Sequence, residues 1–168
     1  MILAIDPGPE RSAYVLLDKE LKPIRYGIVE NEKMLGLIND LSLPAQHFVF
    51  EMVASYGMPV GKEVFETVEW AGRFLQKATE CNFDTFTKVY RKEVTLNLCQ
   101  SHRAKDSNVT RALIDRFAQH NFKTGKGTKE KPDWFYGFHD DIWSAYAVGI
   151  TYADNEKVLA KMAGSVGK

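Results

Sequence analysis

Two short apolar runs, ILAID at residues 2–6 and HFVFE at 47–51, each end in an acid. Successive positions in both runs are apolar, where a half-exposed strand would alternate. This is the pattern of strands covered on both faces, so both belong in the middle of a sheet. An acid closing a buried strand loses hydration unless a cation or hydrogen-bond donors meet it. Any fold for this chain must therefore bury the runs and still provide for Asp6 and Glu51.

The rest of the chain supplies the layers around them. ILAID is closed by Asp-Pro-Gly-Pro, which is strong turn chemistry. Residues 13–18 and 23–30 read as two more strands joined by a polar turn, making an antiparallel three-stranded start. Residues 32–41 have helical spacing at Met34, Leu35, Ile38 and Leu41, and stop before the Ser42–Pro44 stretch. After HFVFE comes a loop, ASYGMPVG, and then a helix over 62–80 with Val64, Val68, Ala71 and Leu75 on one stripe. Residues 86–90 alternate as a strand. Asp106 or Ser107 can N-cap a helix carrying Val109, Ala112, Leu113 and Phe117. The basic segment 123–131, KTGKGTKEK, has no core-forming residue and reads as a mobile loop. A last helix from near Asp140 through Tyr152 is small or apolar on every side and belongs in the core. The order β-β-β-α-β-α-β-α-α predicts an α/β fold, a mixed five-stranded sheet flanked by helices. No repeat or linker divides the chain, so 1–168 reads as one domain.

Composition narrows the partners. With 45% hydrophobic and 26% charged residues in 168, the chain can bury a core without staples. No apolar run approaches the ~20 residues of a bilayer span, and the start has no basic leader; both point to a cytoplasmic protein with no membrane partner. Cys81 and Cys99 stand apart from each other and from clustered histidines, as two reduced structural thiols would. His47, His102 and His120 read as structural. Formal net charge is zero, but Arg103, Lys105, Arg111, Arg116, Lys123, Lys126, Lys129 and Lys131 crowd a stretch holding only Asp106, Asp115 and Glu130. Such a stretch suits a one-sided phosphate-binding surface, and it equally suits a solvated loop.

In open α/β sheets the ligand site lies at the carboxyl ends of the parallel strands, where Asp6 and Glu51 fall. The pair Asp140–Asp141 at a helix start can supply a third acid. Carboxylates gathered in this way hold Mg²⁺, and two such ions about 4 Å apart promote phosphodiester hydrolysis. Each acid also has an ordinary explanation: a turn residue for Asp6, an ion pair for Glu51, and helix-dipole pairing for Asp140 and Asp141.

Four segments, MILAIDPGPERSAYVLLD, FVFEMVASYGMPVGKEVFETVEWAGRF, RAKDSNVTRALIDRF and DDIWSAYAVGITY, resemble in order and spacing the RuvC-type Holliday-junction resolvases of the RNase H-like superfamily, especially their phage-encoded relatives. The resemblance implies an RNase H-like fold and a homodimeric endodeoxyribonuclease of recombination and repair. It would nick branched DNA symmetrically in a bacterial or phage-infected cytoplasm, using Mg²⁺, with Mn²⁺ as a substitute. Asp6, Glu51 and Asp141 match the family's first three metal-binding carboxylates, while the fourth falls on Ser144, a departure. Asp140 or His139 is the stand-in. Lys105 lies one position from a lysine near the scissile phosphate. Tyr56 and Met58 lie in the loop that meets the junction centre, with core packing the competing role. Arg103, Lys105, Arg111, Lys123, Lys126 and Lys129 would grip the backbone. Trp70 and Phe74 mark a candidate dimer surface, or equally the core. Rival readings are a nuclease of flaps, single strands or RNA-containing duplexes, and a non-catalytic branched-DNA-binding module. An actin-like ATPase or sugar kinase would need two such lobes.

Overall fold

Alternation along the strands sorts the core into two layers, one on each face of a single sheet. The computed structural model describes residues 1–40, 45–57 and 59–165, with side chains through 161. Strands β1 (Ile2–Asp6), β2 (Arg11–Leu17), β3 (Pro23–Glu30), β4 (His47–Met52) and β5 (Thr85–Tyr90) form a mixed sheet in the order β3-β2-β1-β4-β5. β1 runs antiparallel to β2 and parallel to β4, which is itself parallel to β5. The predicted α/β architecture is thus present, with the two acid-ended runs as neighbours in the middle.

On one face, Leu3, Ile5, Tyr14, Leu16, Phe48 and Phe50 pack with α1 (Asn31–Ile38) and α2 (Lys62–Thr79). On the other, Ala4, Ala13, Val15, Leu17, Val49 and Val89 meet α3 (Arg91–Cys99), α4 (Asp106–Phe117) and α5 (Ile142–Ser165). The last helix can lie hard against the sheet because its contact residues are small. A Cβ added at Gly149 would sit 2.6 Å from Leu17 Cδ1 and 3.0 Å from Ala4 Cβ. Across the layer, Trp134 Nε1 donates to Tyr146 Oη at 2.9 Å, and that hydroxyl donates to the Leu21 carbonyl at 3.0 Å.

Several local expectations change. β2 begins at Arg11 and ends at Leu17, and α1 ends at Ile38; Leu41 lies outside the described residues. The stripe predicted from Val64, Val68, Ala71 and Leu75 is rotated, so that Thr67, Ala71, Phe74 and Ala78 are buried and Val68 is 37% exposed. A large ring between two alanines fits the sheet surface better than a row of equal aliphatics. Phe74 is therefore core and unavailable to a dimer surface, with the half-buried Trp70 tilted against it. With Val68, α2 presents Phe65 to solvent, 64% exposed. Lys105, not Asp106 or Ser107, occupies the N-cap of α4. α5 starts at Ile142 and runs past Tyr152. α3 went unpredicted; its one clear cue is Glu93, whose carboxylate accepts the Tyr90 N–H at 2.7 Å, as a residue three positions into a helix can.

The segment 123–131 contributes more to the core than its side chains suggest. Gly125 is buried in a left-handed conformation (φ 68°), where a Cβ would lie 2.6 Å from the Phe135 ring, and Gly127 bridges to Pro132. Asp133 anchors this region. Its carboxylate accepts backbone N–H bonds from Gln119, Trp134, His120 and Asn121 at 2.9, 2.7, 3.0 and 2.6 Å. Burial alone would push this acid upward, but the backbone donors hold it well below the usual carboxylate range. Among the described residues no helix is long and apolar enough to cross a membrane, and both cysteines are free.

A carboxyl depressed in the folded state stabilises the fold above its unfolded value and loses that contribution as pH falls toward its folded value. Asp133→Asn should therefore cost about 3 kcal/mol at pH 7. The difference from the parent should narrow below roughly pH 4, as measured by urea melts across pH.

Candidate active site

The β1–β4 register places the acids. Ile5 pairs with Phe50, so Asp6 and Glu51 are the next neighbours along two parallel strands about 4.8 Å apart. Alternation turns both toward the face covered by α3, α4 and α5, since Ile5 and Phe50 point the other way. Glu51 in turn pairs with Val89 of β5, two residues before Arg91 opens α3.

The turn after Asp6 is locked by a closed ring of hydrogen bonds. Ser12 Oγ donates to Asn31 Oδ1 at 2.6 Å, Asn31 Nδ2 donates to the Gly8 carbonyl at 2.9 Å, and the Gly8 N–H donates to Ser12 Oγ at 3.2 Å. Ser12 and Asn31 are both buried, so the Pro-Gly turn is tied to β2 and α1. Neither residue was singled out from sequence. A polar residue inside an otherwise apolar strand was the available signal for Ser12.

Three further acids face this edge. Asp141 immediately precedes α5 and caps it through its backbone, accepting the Ala145 N–H at 3.0 Å. Asp140 is exposed, adopts a left-handed backbone (φ 42°), and its carboxylate lies 2.9 Å from His139 Nδ1. Asp106, the first residue of α4, accepts a hydrogen bond from the guanidinium of Arg91. A cleft of about 220 Å³ is lined by Arg91, Asp106, Asp140, Asp141, Trp143 and Ser144, among others. Ser144 thus sits beside the acids without adding a charge. Neither Asp6 nor Glu51 lines this cleft, nor do they line the larger hollows beside Met1 and Tyr152 and between Arg11 and Lys62.

The electrostatics show how closely the group is coupled. Burial foremost, then the charges of Glu51 and Asp141, holds the Asp6 carboxyl well above the usual range, while Arg91 pulls it back. Burial also raises Glu51 to about 6, opposed by Arg91 and assisted by Asp106 and Asp141. Among the described residues neither carboxylate has a hydrogen-bond or ion-pair partner. Also among the described residues, no three His, Cys, Asp or Glu side chains are grouped so as to hold a metal as they stand.

The other candidates are dispersed. Lys105 is exposed next to Asp106, its N–H donating to Asn108 Oδ1 at 2.9 Å. Tyr56 is 45% exposed at φ 47°, with Lys92 Nζ 3.6 Å from its ring centroid. Met58 lies outside the described residues. Arg111 is engaged by Asp115 and the Phe122 carbonyl, and Arg116 by Asp154. Arg103, Lys123 and Lys129 are exposed, while Lys126 is partly buried. The histidines vary: His47 contacts Thr85 and Tyr152, His120 lies near Asp133, and His102 is exposed.

The five-stranded mixed sheet with helices over both faces is an α/β fold, and its RNase H-like character is shown by the solved structures it resembles. No family model matches the sequence, and no curated protein does either. In structure the chain is similar to the Thermus thermophilus RuvC structure, with a TM-score of 0.63 and 18% identity over 94% of this chain and 95% of that one. It is also similar to T. thermophilus RuvC in complex with Holliday junction substrate, with a TM-score of 0.62 and 17% identity over 94% of each chain. The shared property at this identity is the fold.

A carboxyl raised in the folded state favours folding only while it keeps its proton. Stability is full below the ordinary carboxylate value and declines as pH rises through about 6 for Glu51. In EDTA at pH 8, Glu51→Gln should therefore melt about 2–4 °C higher than the parent. The gain should vanish at about pH 4, as followed by circular dichroism.

Proposed function

We propose that this chain is a divalent-metal-dependent endonuclease that cuts DNA at four-way or other branched junctions. One observation carries the reading: Asp6 and Glu51 stand side by side at the ends of parallel strands, half-buried, with no protein donor to either carboxylate among the described residues. Neighbouring acids left in this state destabilise a fold, and a bound cation removes the penalty. An all-oxygen donor set suits Mg²⁺ or Mn²⁺ rather than zinc. Asp6, Glu51 and Asp141 would hold it, with Asp140 lining the same cleft as Asp141.

When bound, divalent ions activate a water and stabilise the leaving oxygen of a phosphodiester. The chain's own part is to keep Asp6 and Glu51 rigid at the strand ends. Lys105 beside the cleft would meet phosphate as a point charge, and Tyr56 would stack on an unpaired base. Arg103, Lys123, Lys126 and Lys129 would follow the backbone, with Arg111 joining them only by leaving Asp115. A homodimer would present two such sites to a substrate of near two-fold symmetry. The fold shared with a RuvC whose structure contains a Holliday junction supports the substrate class.

A second reading, a junction-binding module without catalysis, draws on Ser144 and on the absence, among the described residues, of a ready three-ligand group. One experiment separates the two. A labelled four-way junction and a matched linear duplex are incubated with the protein in Mg²⁺ or EDTA. Junction-selective nicking in Mg²⁺ alone is expected, and Asp6→Asn should lower its rate roughly 10³-fold while gel-shift binding survives. Retarded but uncut junction would support the second reading, and undiminished cutting by Asp6→Asn would exclude the site.

A further inference from the structure

Phe122 is an aromatic ring held out in solvent by a fixed turn on the flank of the cleft; the residue is 57% exposed. Its carbonyl accepts a hydrogen bond from Arg111 Nη1 at 2.8 Å. Before it, the Asn121 N–H donates to the Asp133 carboxylate at 2.6 Å, and the Asn121 carbonyl accepts the Gly125 N–H at 2.7 Å. After it, the Thr124 N–H donates to Asn121 Oδ1 at 3.1 Å. Gly125 is buried against Phe135, so the turn is anchored in the core. Arg111 follows Thr110, which lines the cleft with Asp106 and Asp141. Along α4 it stands about 7.5 Å of helix rise from Asp106. The backbone thus displays the ring beside the cleft and cannot fold it away.

Charge decides what such a ring would meet. Phe65 is similarly exposed, but it shares its helix surface with Glu69, which would repel phosphate. Phe122 is followed by the exposed Lys123, while Asp115 takes up the charge of Arg111. Among the described residues no ring or cation stacks on Phe122, whereas the Tyr56 ring already carries Lys92. An open π-face next to a cation fits a nucleic-acid strand, whose base stacks while its phosphate meets the charge.

We propose that Phe122 is a stacking platform for an unpaired DNA base at a branch, with Lys123 meeting the adjoining phosphate. The inference rests on the DNA-binding part of the reading above and adds a residue to which that reading gave no role. A ring on a fixed turn loses little conformational freedom when a base settles on it. Stacking tolerates every base, so the platform selects unpaired over paired DNA rather than one sequence over another. The competing account is that Phe122 packs only against its own turn. Its loss would then lower thermal stability and leave DNA binding unchanged.

Binding to the full chain is measured in EDTA by fluorescence anisotropy, so that neither metal nor cleavage enters. The probes are a fork with unpaired arms and a fully paired linear duplex of equal length. Phe122→Ala and Phe122→Leu should each bind the fork roughly tenfold more weakly than the parent. Both should bind the duplex within about twofold of it. Phe122→Trp keeps a π-face and should hold the fork within about twofold. Should Phe122→Ala fail to fold, Phe122→Leu carries the test, since it keeps an apolar side chain and lacks the π-face. Fork binding unchanged by Phe122→Ala or Phe122→Leu, or a loss of equal size on both DNAs, overturns the inference. A parent protein that binds neither DNA at micromolar concentration instead overturns the DNA-binding reading itself, and this inference with it.

Discussion

The parallel pairing of β1 with β4, in the register that sets Ile5 against Phe50, is the constraint on which the candidate site depends. A slip of one residue would turn Glu51 toward α1 and α2 and leave Asp6 without its neighbour, because side chains alternate between faces. The register is held by burial on both sides. Leu3 and Phe48 pack with Ile5 and Phe50 below the sheet, while Ala4 and Val49 meet the helices above it. Apolar packing of ordinary kind thereby forces two negative groups together.

Asp6 and Asp133 are both acids drawn into the fold, and their surroundings differ in a way that separates structure from chemistry. Asp133 is met by N–H groups from Gln119, His120, Asn121 and Trp134, and organises the chain between α4 and α5. Asp6 is met by Glu51, Asp141 and the distant help of Arg91. Donors of the first kind make an acid an internal cap. At the second such donors are absent among the described residues, and the Ser12–Asn31–Gly8 ring ties the turn after the strand end to β2 and α1.

Much of this was legible in order along the chain. The apolar runs placed β1 and β4 centrally, their terminal acids marked the edge, and the small-residue helix α5 was read as buried. Other features depended on partners far away in sequence. The basic stretch looked free for phosphate, yet Arg111 and Arg116 are matched to Asp115 and Asp154, which charge counting cannot reveal. Val68 and Phe74 lie on adjoining stripes of one helix, and only the sheet's shape chose between them. Tyr56 is exposed, as a loop aromatic suggests, but the lysine over its ring comes from α3, an element the periodicity did not show.

By itself the sequence determined most local preferences: the five strands, the helices other than α3, and which strands end in carboxylates. These follow from residue spacing and turn chemistry, and they need no knowledge of distant partners. The tertiary structure alone decided that Asp6 meets Glu51, that Arg91 pairs with Asp106, and that the 123–131 segment is bound to the core through glycine backbone. Those outcomes are set by strand register, packing volume and charge pairing between residues far apart in the chain. Such interactions exist only once the layers have closed.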